Sequence, residues 1–218
     1  MVKINLKEHK RGGDNMIIDI TQTTRMGRVY RAGSEPLKVK EVKRYSRSGS
    51  EYTTTSFSCD VHNMGTHIDV MGKNIVIKNE RLISEGIKFD VSNILDRPIK
   101  LEDLDLSRIK EGVYVFFQTN WDEYFEDEEK YNNHPEISME VIEYLVSKKV
   151  NMIGIDTLGL GAGKNHGIID VYLGKNKVYA IENLANLKNI PEENFKVYCL
   201  PMKIEELDAL PARILVEF

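Results

Sequence analysis

The sequence predicts a single-domain α/β protein with a mixed sheet, and three observations carry that reading. From Val113 to Glu182, apolar runs of strand length alternate with two segments of helical pattern, the order that produces crossovers and parallel pairing. The first third is instead rich in Val, Tyr and Thr between turn signals, which points to β-structure. No internal repeat, low-complexity tract or linker divides the 218 residues, a length that one core with insertions accommodates.

Residues 1–15 read as a loose N-terminal extension ending in "RGGDN", and 16–218 as the domain. "MIIDI", from Met16, is apolar and β-branched and reads as a strand. Leu37 to Ser58 reads as a long β-hairpin with its turn near Ser46 to Glu51, where "SRSGSE" supplies small and polar residues. "GVYVFFQT", from Gly112 to Thr119, has the continuous apolar character of a strand covered on both faces.

"SMEVIEYLVSKKV" predicts a helix. Ser138 stands at the N-cap, Glu140 lies in the first turn, and Ile142, Leu145, Val146 and Val150 follow helical spacing. Lys148 and Lys149 fall at the negative end of its dipole. "NMIGI" is a short strand leading to Asp156, and Gly159, Gly161 and Gly163 make the next loop. "KNHGIIDVYLGKN" reads as a second helix, and "KVYAIE" as a strand ending at Glu182. "FKVYCL" and "ARILVEF" close the chain as strands.

The net charge of −4 argues against an extended phosphate-binding surface, so nucleic acid is not an expected partner. Cys59 and Cys199 form neither a disulfide framework nor a CxxC knuckle and are expected as a buried, reduced pair. The polar, basic N-terminus has no apolar core of a secretory signal, and no apolar run approaches the ~20 residues that span a bilayer. The expectation is a cytoplasmic protein without membrane contact.

Chemistry concentrates around "HNMGTHID", residues 62–69, which holds two of the five histidines. In an extended segment side chains alternate, so Asn63, Gly65, His67 and Asp69 share one face and His62 takes the other. An imidazole and a carboxylate two residues apart can both reach one divalent ion at ~2.0–2.2 Å. Glu182, closing an apolar strand, is costly to bury without a neutralising partner; it either caps or pairs locally, or reaches the metal. Asn183 and Asn186 are candidates to orient it. His166 and Asp170 are spaced i, i+4 on one helical face, as a surface pair or as further ligands and proton carriers.

"GTHID" (65–69), "GIDT" (154–157) and "IENLANL" (181–187) together resemble the cyclase family, which includes kynurenine formamidase and isatin hydrolase. "TNWDEYF" (119–125) and the terminal "LPARILVEF" extend the likeness, in order, from about Met16 to Phe218. The resemblance implies a metal-dependent hydrolase of amides or cyclic amides, with a swivelling β/β/α fold and a homo-oligomeric assembly, dimer or tetramer. The family pattern is HxGTHxDxPxH, in which two histidines and the aspartate bind zinc or manganese. A later His and Glu hold a second ion. Carried over, His67 and Asp69 match ligands and Glu182 matches the distal glutamate.

This chain departs from the pattern at several positions. The first family His falls on Asn63, a weaker carbonyl donor, with His62 one place too early; only a bulge would turn His62 inward. The Pro falls on Met71 and the last His, an acid–base candidate, on Lys73, which could instead stabilise an oxyanion. The distal His falls on Asp170, with His166 one helical turn earlier.

The expected metal set is therefore His67, Asp69, Glu182, Asp170, Asn63 and His166, with Glu182, His166, Asp170 and Lys73 as catalytic candidates. Zinc or manganese is expected, with magnesium or iron admitted by the carboxylate-rich set. The function expected is hydrolysis of a small amide, lactam or lactone by a metal-activated water, arylformamidase-like. The alternative is a catalytically silent homologue that binds a small ligand or serves a structural role. "GLGAGK" (159–164) matches neither phosphate-loop pattern, because Asn165 follows the lysine.

Overall fold

The computed structural model describes residues 15–29, 33–60, 62, 64–72 and 75–218. Its strands are β1 (Ile17–Asp19), β2 (Lys38–Tyr45), β3 (Glu51–Ser58), β4 (His67–Asp69), β5 (Ile83–Asp90) and β6 (Tyr114–Gln118), then β7 (Met152–Ile155), β8 (Tyr179–Glu182), β9 (Phe195–Pro201) and β10 (Ala209–Glu217). Its α-helices are α1 (Glu128–Tyr131), α2 (Met139–Ser147) and α3 (Lys164–Asn176). Of the expected N-terminal extension only Asn15 is among the described residues, its amide donating to Glu217.

Eight strands line up as β1-β10-β4-β8-β7-β6-β5-β9, and β9 pairs back onto β10, so the sheet closes into a barrel-like ring. β5, β6, β7 and β8 run parallel, while β4, β9 and β10 join them antiparallel. The alternation seen between Val113 and Glu182 thus becomes the parallel half of a mixed sheet, because each crossover must return its strand in the same direction.

Strand alternation sorts the core into two. Tyr114, Phe116, Met152, Ile181 and Ile68 point into the ring, with Phe195, Val197 and Ile214 from the antiparallel strands. Val115, Phe117, Ile153, Ile155 and Ala180 point outward and are covered by Val141, Ile142 and Leu145 of α2 and by Ile169 and Leu173 of α3. Burial on both faces explains the unbroken apolar character of β6. Gly154 is required inside the ring, since a Cβ there would lie 2.5 Å from the Phe116 ring and 2.8 Å from Leu184.

Several expectations need correction. β5 is the link between the parallel and antiparallel halves, yet its sequence "ISEGIKFD" is too polar to read as a buried strand. Lys88 is buried there by donating to Gln118 Oε1 and to the carbonyls of Leu187 and Ile190, which satisfies all three of its protons. Ser138 stands at the N-cap of α2 with extended backbone, but its hydroxyl makes no cap hydrogen bond. Cys199 is buried and Cys59 only half-buried, so the two are free but not a buried pair. Strands β2 and β3 form the expected hairpin, a two-stranded sheet of its own. Among the described residues no helix is long and apolar enough to cross a membrane.

Candidate metal centre

The site sits on the outer face of the ring, where β4 and β8 run side by side beneath α3. Antiparallel register sets His67 opposite Glu182 and Asp69 opposite Ala180. Since Ile68 and Ile181 fill the ring, these neighbours must face outward, toward the helix. Ala180 is small enough to leave room over Asp69 for the α3 side chains. α3 approaches closely at its far end because Gly174 has no Cβ; one there would come within 2.8 Å of Met71 Cβ. The i, i+4 spacing then lowers His166 and Asp170 onto the strand pair, with His166 Nε2 3.3 Å from Asp170 Oδ2.

The segment before β4 is locked by its own sequence. Gly65 has φ 132°, and a Cβ at that position would lie 2.7 Å from Thr24 Oγ1. Its carbonyl accepts from His67 Nδ1 at 2.9 Å and from Asn183 Nδ2 at 3.2 Å. Thr66 Oγ1 donates to the Asn183 carbonyl at 2.6 Å and accepts from Gln22 N at 2.7 Å. With Nδ1 donating to a carbonyl, the lone pair of His67 is on Nε2, the atom aimed at the carboxylates.

His67 Nε2 lies 3.5 Å from Asp69 Oδ1 and 3.5 Å from Glu182 Oε2, too far for a hydrogen bond to either. His67, Asp69, Asp170 and Glu182 are all buried. Among the described residues, His67 Nε2, Asp69 Oδ1, Asp170 Oδ1 and Glu182 Oε1 are buried without any hydrogen-bond partner. Such orphaned acceptors are costly, and acceptors gathered this closely around Asp69 call for a cation. Two ligands each ~2.1 Å from one ion stand roughly 3–3.5 Å apart, the spacing seen here. Ligand atoms of Asp69, His166, Asp170 and Glu182 all lie within 4.8 Å of one another, as do those of His62, His67 and Asp69. The donor set fits a divalent ion, with Asp69 common to both groups.

Electrostatics point the same way. Burial first, then the Asp69 and Asp170 charges, push the Glu182 carboxyl well above the ordinary carboxylate range. Burial raises Asp170 to about 6, against the pull of His166. Three carboxylates in one desolvated space repel until protons or a cation neutralise them.

The structure therefore brings together His67, Asp69, Glu182, Asp170 and His166. Asn63 and Lys73 lie outside the described residues. The alternation that set His62 apart does not hold: β4 begins only at His67, and the bends before it turn His62 inward. Its Nε2 is 3.9 Å from Asp69 Oδ1, and its ring centroid is 5.6 Å from that of His67. Asn183 orients the His67 segment and not Glu182, while Asn186 binds the Asp19 carbonyl.

Two contributors went unread in the sequence. Gly159 stands where a Cβ would be 2.1 Å from His166 Nδ1 and 3.3 Å from Glu182 Oε1, so the glycine loop makes space for both side chains. Glu136 accepts from Ala162 N at 2.9 Å and Asn165 Nδ2 at 3.2 Å, occupying the start of α3 where a phosphate would sit.

The Cyclase family model matches residues 18–162, well over half of the chain. The chain belongs to the cyclase family. It is 28% identical over 198 residues to an uncharacterized protein of Methanocaldococcus jannaschii, a match covering 90% of this chain and 96% of that one. It is 29% identical over 129 residues to isatin hydrolase of Roseibium aggregatum, across 54% of this chain and 49% of that protein. Isatin hydrolase A from Ralstonia solanacearum shares the cyclase fold at TM-score 0.77 and 22% identity, covering 93% and 92% of the two chains. The "predicted metal-dependent hydrolase" from Bacillus stearothermophilus superimposes with TM-score 0.73 at 25% identity, covering 94% of this chain and 99% of that one.

Proposed function

We propose that this cyclase-family protein is a metal-dependent hydrolase that opens a small amide, lactam or lactone, with C–N cleavage of the arylformamidase kind as its first candidate reaction. The observation that carries the reading is that His67, Asp69, Asp170 and Glu182 each bury an unpartnered donor atom, in two ligand groups that share Asp69. A divalent ion held there would lower the pKa of water and polarise the substrate carbonyl. His67, Asp69 and Glu182 would hold the ion, with Asp170 and His166, which cluster with Asp69 and Glu182, beside it. Two imidazoles among three carboxylates favour zinc or manganese, with magnesium or iron admissible.

The chain's own proton-handling groups are Glu182, Asp170 and His166. In the metal-free site burial and the neighbouring carboxylates make Glu182 and Asp170 bind protons more tightly than ordinary carboxyls; a bound cation would reverse that and leave them ionised, as a general base must be. His166, 35% exposed and 3.3 Å from Asp170, is placed to pass a proton from the buried site to solvent. Beside the centre lies a cleft of about 590 Å³, lined by Phe57, Met64, Met202 and Leu207 with His62 at its edge, which suits a small apolar substrate. The isatin hydrolase and metal-dependent hydrolase relatives support this direction.

The test is metal analysis of protein purified without chelator, followed by turnover on a panel of aryl formamides, lactams and lactones. A stoichiometric divalent ion with turnover is expected. No ion, and no thermal stabilisation by added zinc or manganese, overturns the reading; a bound ion without turnover assigns the silent, ligand-binding role instead.

We also propose a homodimer or tetramer. Among the described residues the β2–β3 hairpin pairs with no other strand and leaves Tyr45, Tyr52 and Phe57 exposed, and an isolated two-stranded ribbon is marginal alone. Light scattering tests this; a monomer at micromolar concentration overturns it.

A further inference from the structure

Position 63, where the family pattern has its first histidine, is an asparagine, and His62 enters the centre from the bends before β4. Its two ring nitrogens have different neighbours. Nδ1 is 3.2 Å from Asp208 Oδ2, and Nε2 is 3.9 Å from the orphaned Asp69 Oδ1. Asp208 is itself pinned to the strand that carries Asp69. Its carbonyl accepts from Val70 N at 2.9 Å and Met71 N at 3.0 Å, and the next residue, Ala209, stands in register opposite Asp69.

We propose that Asp208 is a positioning residue that holds His62 as an additional ligand of the metal, so that a carboxylate-backed histidine at 62 supplies the imidazole that position 63 lacks. The inference rests on the metal-centre reading above. An imidazole donating Nδ1–H to a carboxylate has its Nε2 lone pair fixed in direction, and carboxylate backing is the common way proteins orient a ligating histidine. Here Nδ1 stands 3.2 Å from the Asp208 carboxylate, and Nε2 lies 3.9 Å from an anionic oxygen that also lacks a donor. Two acceptors facing across 3.9 Å are reconciled by a cation between them. As a surface ion pair alone the contact would contribute little, because Asp208 is 60% exposed and solvent screens such pairs. Its value lies in aiming His62. The backbone bonds from Val70 and Met71 matter for the same reason: they tie the backing carboxylate and the shared ligand Asp69 to one rigid strand end.

The experiment is a zinc titration of chelator-stripped full-length protein against a chromophoric competitor, for wild type, His62→Ala, Asp208→Ala, Asp208→Asn and the His62→Ala/Asp208→Ala double variant. Removal of a group orienting a ligand typically costs 10–100-fold in metal affinity, and losses of that order are expected for Asp208→Ala and for His62→Ala. The double variant should bind no more weakly than His62→Ala alone, since Asp208 acts through the imidazole. The absorption spectrum of the cobalt(II)-substituted protein should change on His62→Ala, reporting a lost nitrogen ligand. Circular dichroism of the stripped variants checks folding, and Asp208→Asn, which preserves shape, should show a smaller loss in the same direction. If wild type binds zinc and Asp208→Ala binds equally well, or if the two losses add, this inference falls alone. If wild type binds no zinc, the metal-centre reading falls with it.

Discussion

His67 and Glu182 stand directly opposite each other across the β4–β8 pair, with Nε2 3.5 Å from Oε2 and no hydrogen bond between them. A cross-strand pair this close would ordinarily share a proton. Here the imidazole proton is committed to the Gly65 carbonyl on the far side of the ring, and the facing atoms are both acceptors. Glu182→Gln therefore removes charge from the centre without removing bulk. Zinc or manganese affinity should fall by at least a hundredfold, and the metal-free protein should melt no lower than wild type. Isothermal titration and calorimetric melting in chelator check both; unchanged affinity would remove Glu182 from the ligand set.

Gly159→Ala tests the room left for His166. The added Cβ would fall 2.1 Å from His166 Nδ1, so the imidazole must leave its place over the strands. Metal affinity and turnover are expected to drop at least tenfold, while Gly167→Ala, which meets nothing within 4 Å, should leave both intact. Equal behaviour of the two variants would contradict the placement of His166.

The metal-free protein should lose stability as pH rises from about 4 to about 6. Asp170 is raised by burial to about 6, so between an unfolded carboxyl near 3.9 and that value the folded state binds more protons than the unfolded one. Stability is then fully present below the lower value and declines through the upper. Glu182, raised by burial and its acidic neighbours, extends the decline in the same direction. Urea midpoints in chelator at pH 4 to 7 measure the slope. Asp170→Asn should flatten it, and saturating zinc should reverse it.

Tyr131→Phe examines the support behind His67. Tyr131 Oη donates to Asn183 Oδ1 at 2.8 Å, and Asn183 in turn holds the Gly65 carbonyl. Loss of one buried hydrogen bond should cost about 1–2 kcal/mol and weaken metal binding several-fold. Asn183 also adopts φ 54°, so Asn183→Ala adds backbone cost and should be the more damaging change. An unaltered urea midpoint for Tyr131→Phe would detach α1 from the site.

Gly154→Ala reports on the ring interior alone. A methyl 2.5 Å from Phe116 and 2.8 Å from Leu184 overpacks the ring interior, at about 1–3 kcal/mol. Thermal melting should register it, with metal affinity unchanged because the residue faces away from the centre.

Much of this protein could be read from periodicity and motif. The span of α3 coincides with the segment read as a helix, and His166 and Asp170 share one of its faces as their i, i+4 spacing requires. β6 and β7 follow from unbroken apolar runs, and the His67–Asp69 pair follows from period two within a true strand. β5 did not follow, because Glu85, Gly86 and Lys88 are polar or small for reasons that lie elsewhere in the chain. Gly86 admits Phe195, and Lys88 donates to carbonyls about a hundred residues away. His62 was misplaced for a related reason: alternation is a property of paired backbone, and the pairing begins only at His67.

Local chemistry alone thus specified which segments fold as strand or helix, and it named His67, Asp69, His166, Asp170 and Glu182 as candidates. Their convergence is a matter of register and crossover. The β4–β8 pairing sets His67 against Glu182, and the return of α3 over those strands adds His166 and Asp170. The pinning of Asp208 beside Asp69 turns His62 from an outlier into a neighbour. These relations join residues up to about 146 positions apart, and they depend on which strands find one another when the ring closes, a decision taken by long-range burial and backbone hydrogen bonding that no short window of sequence contains.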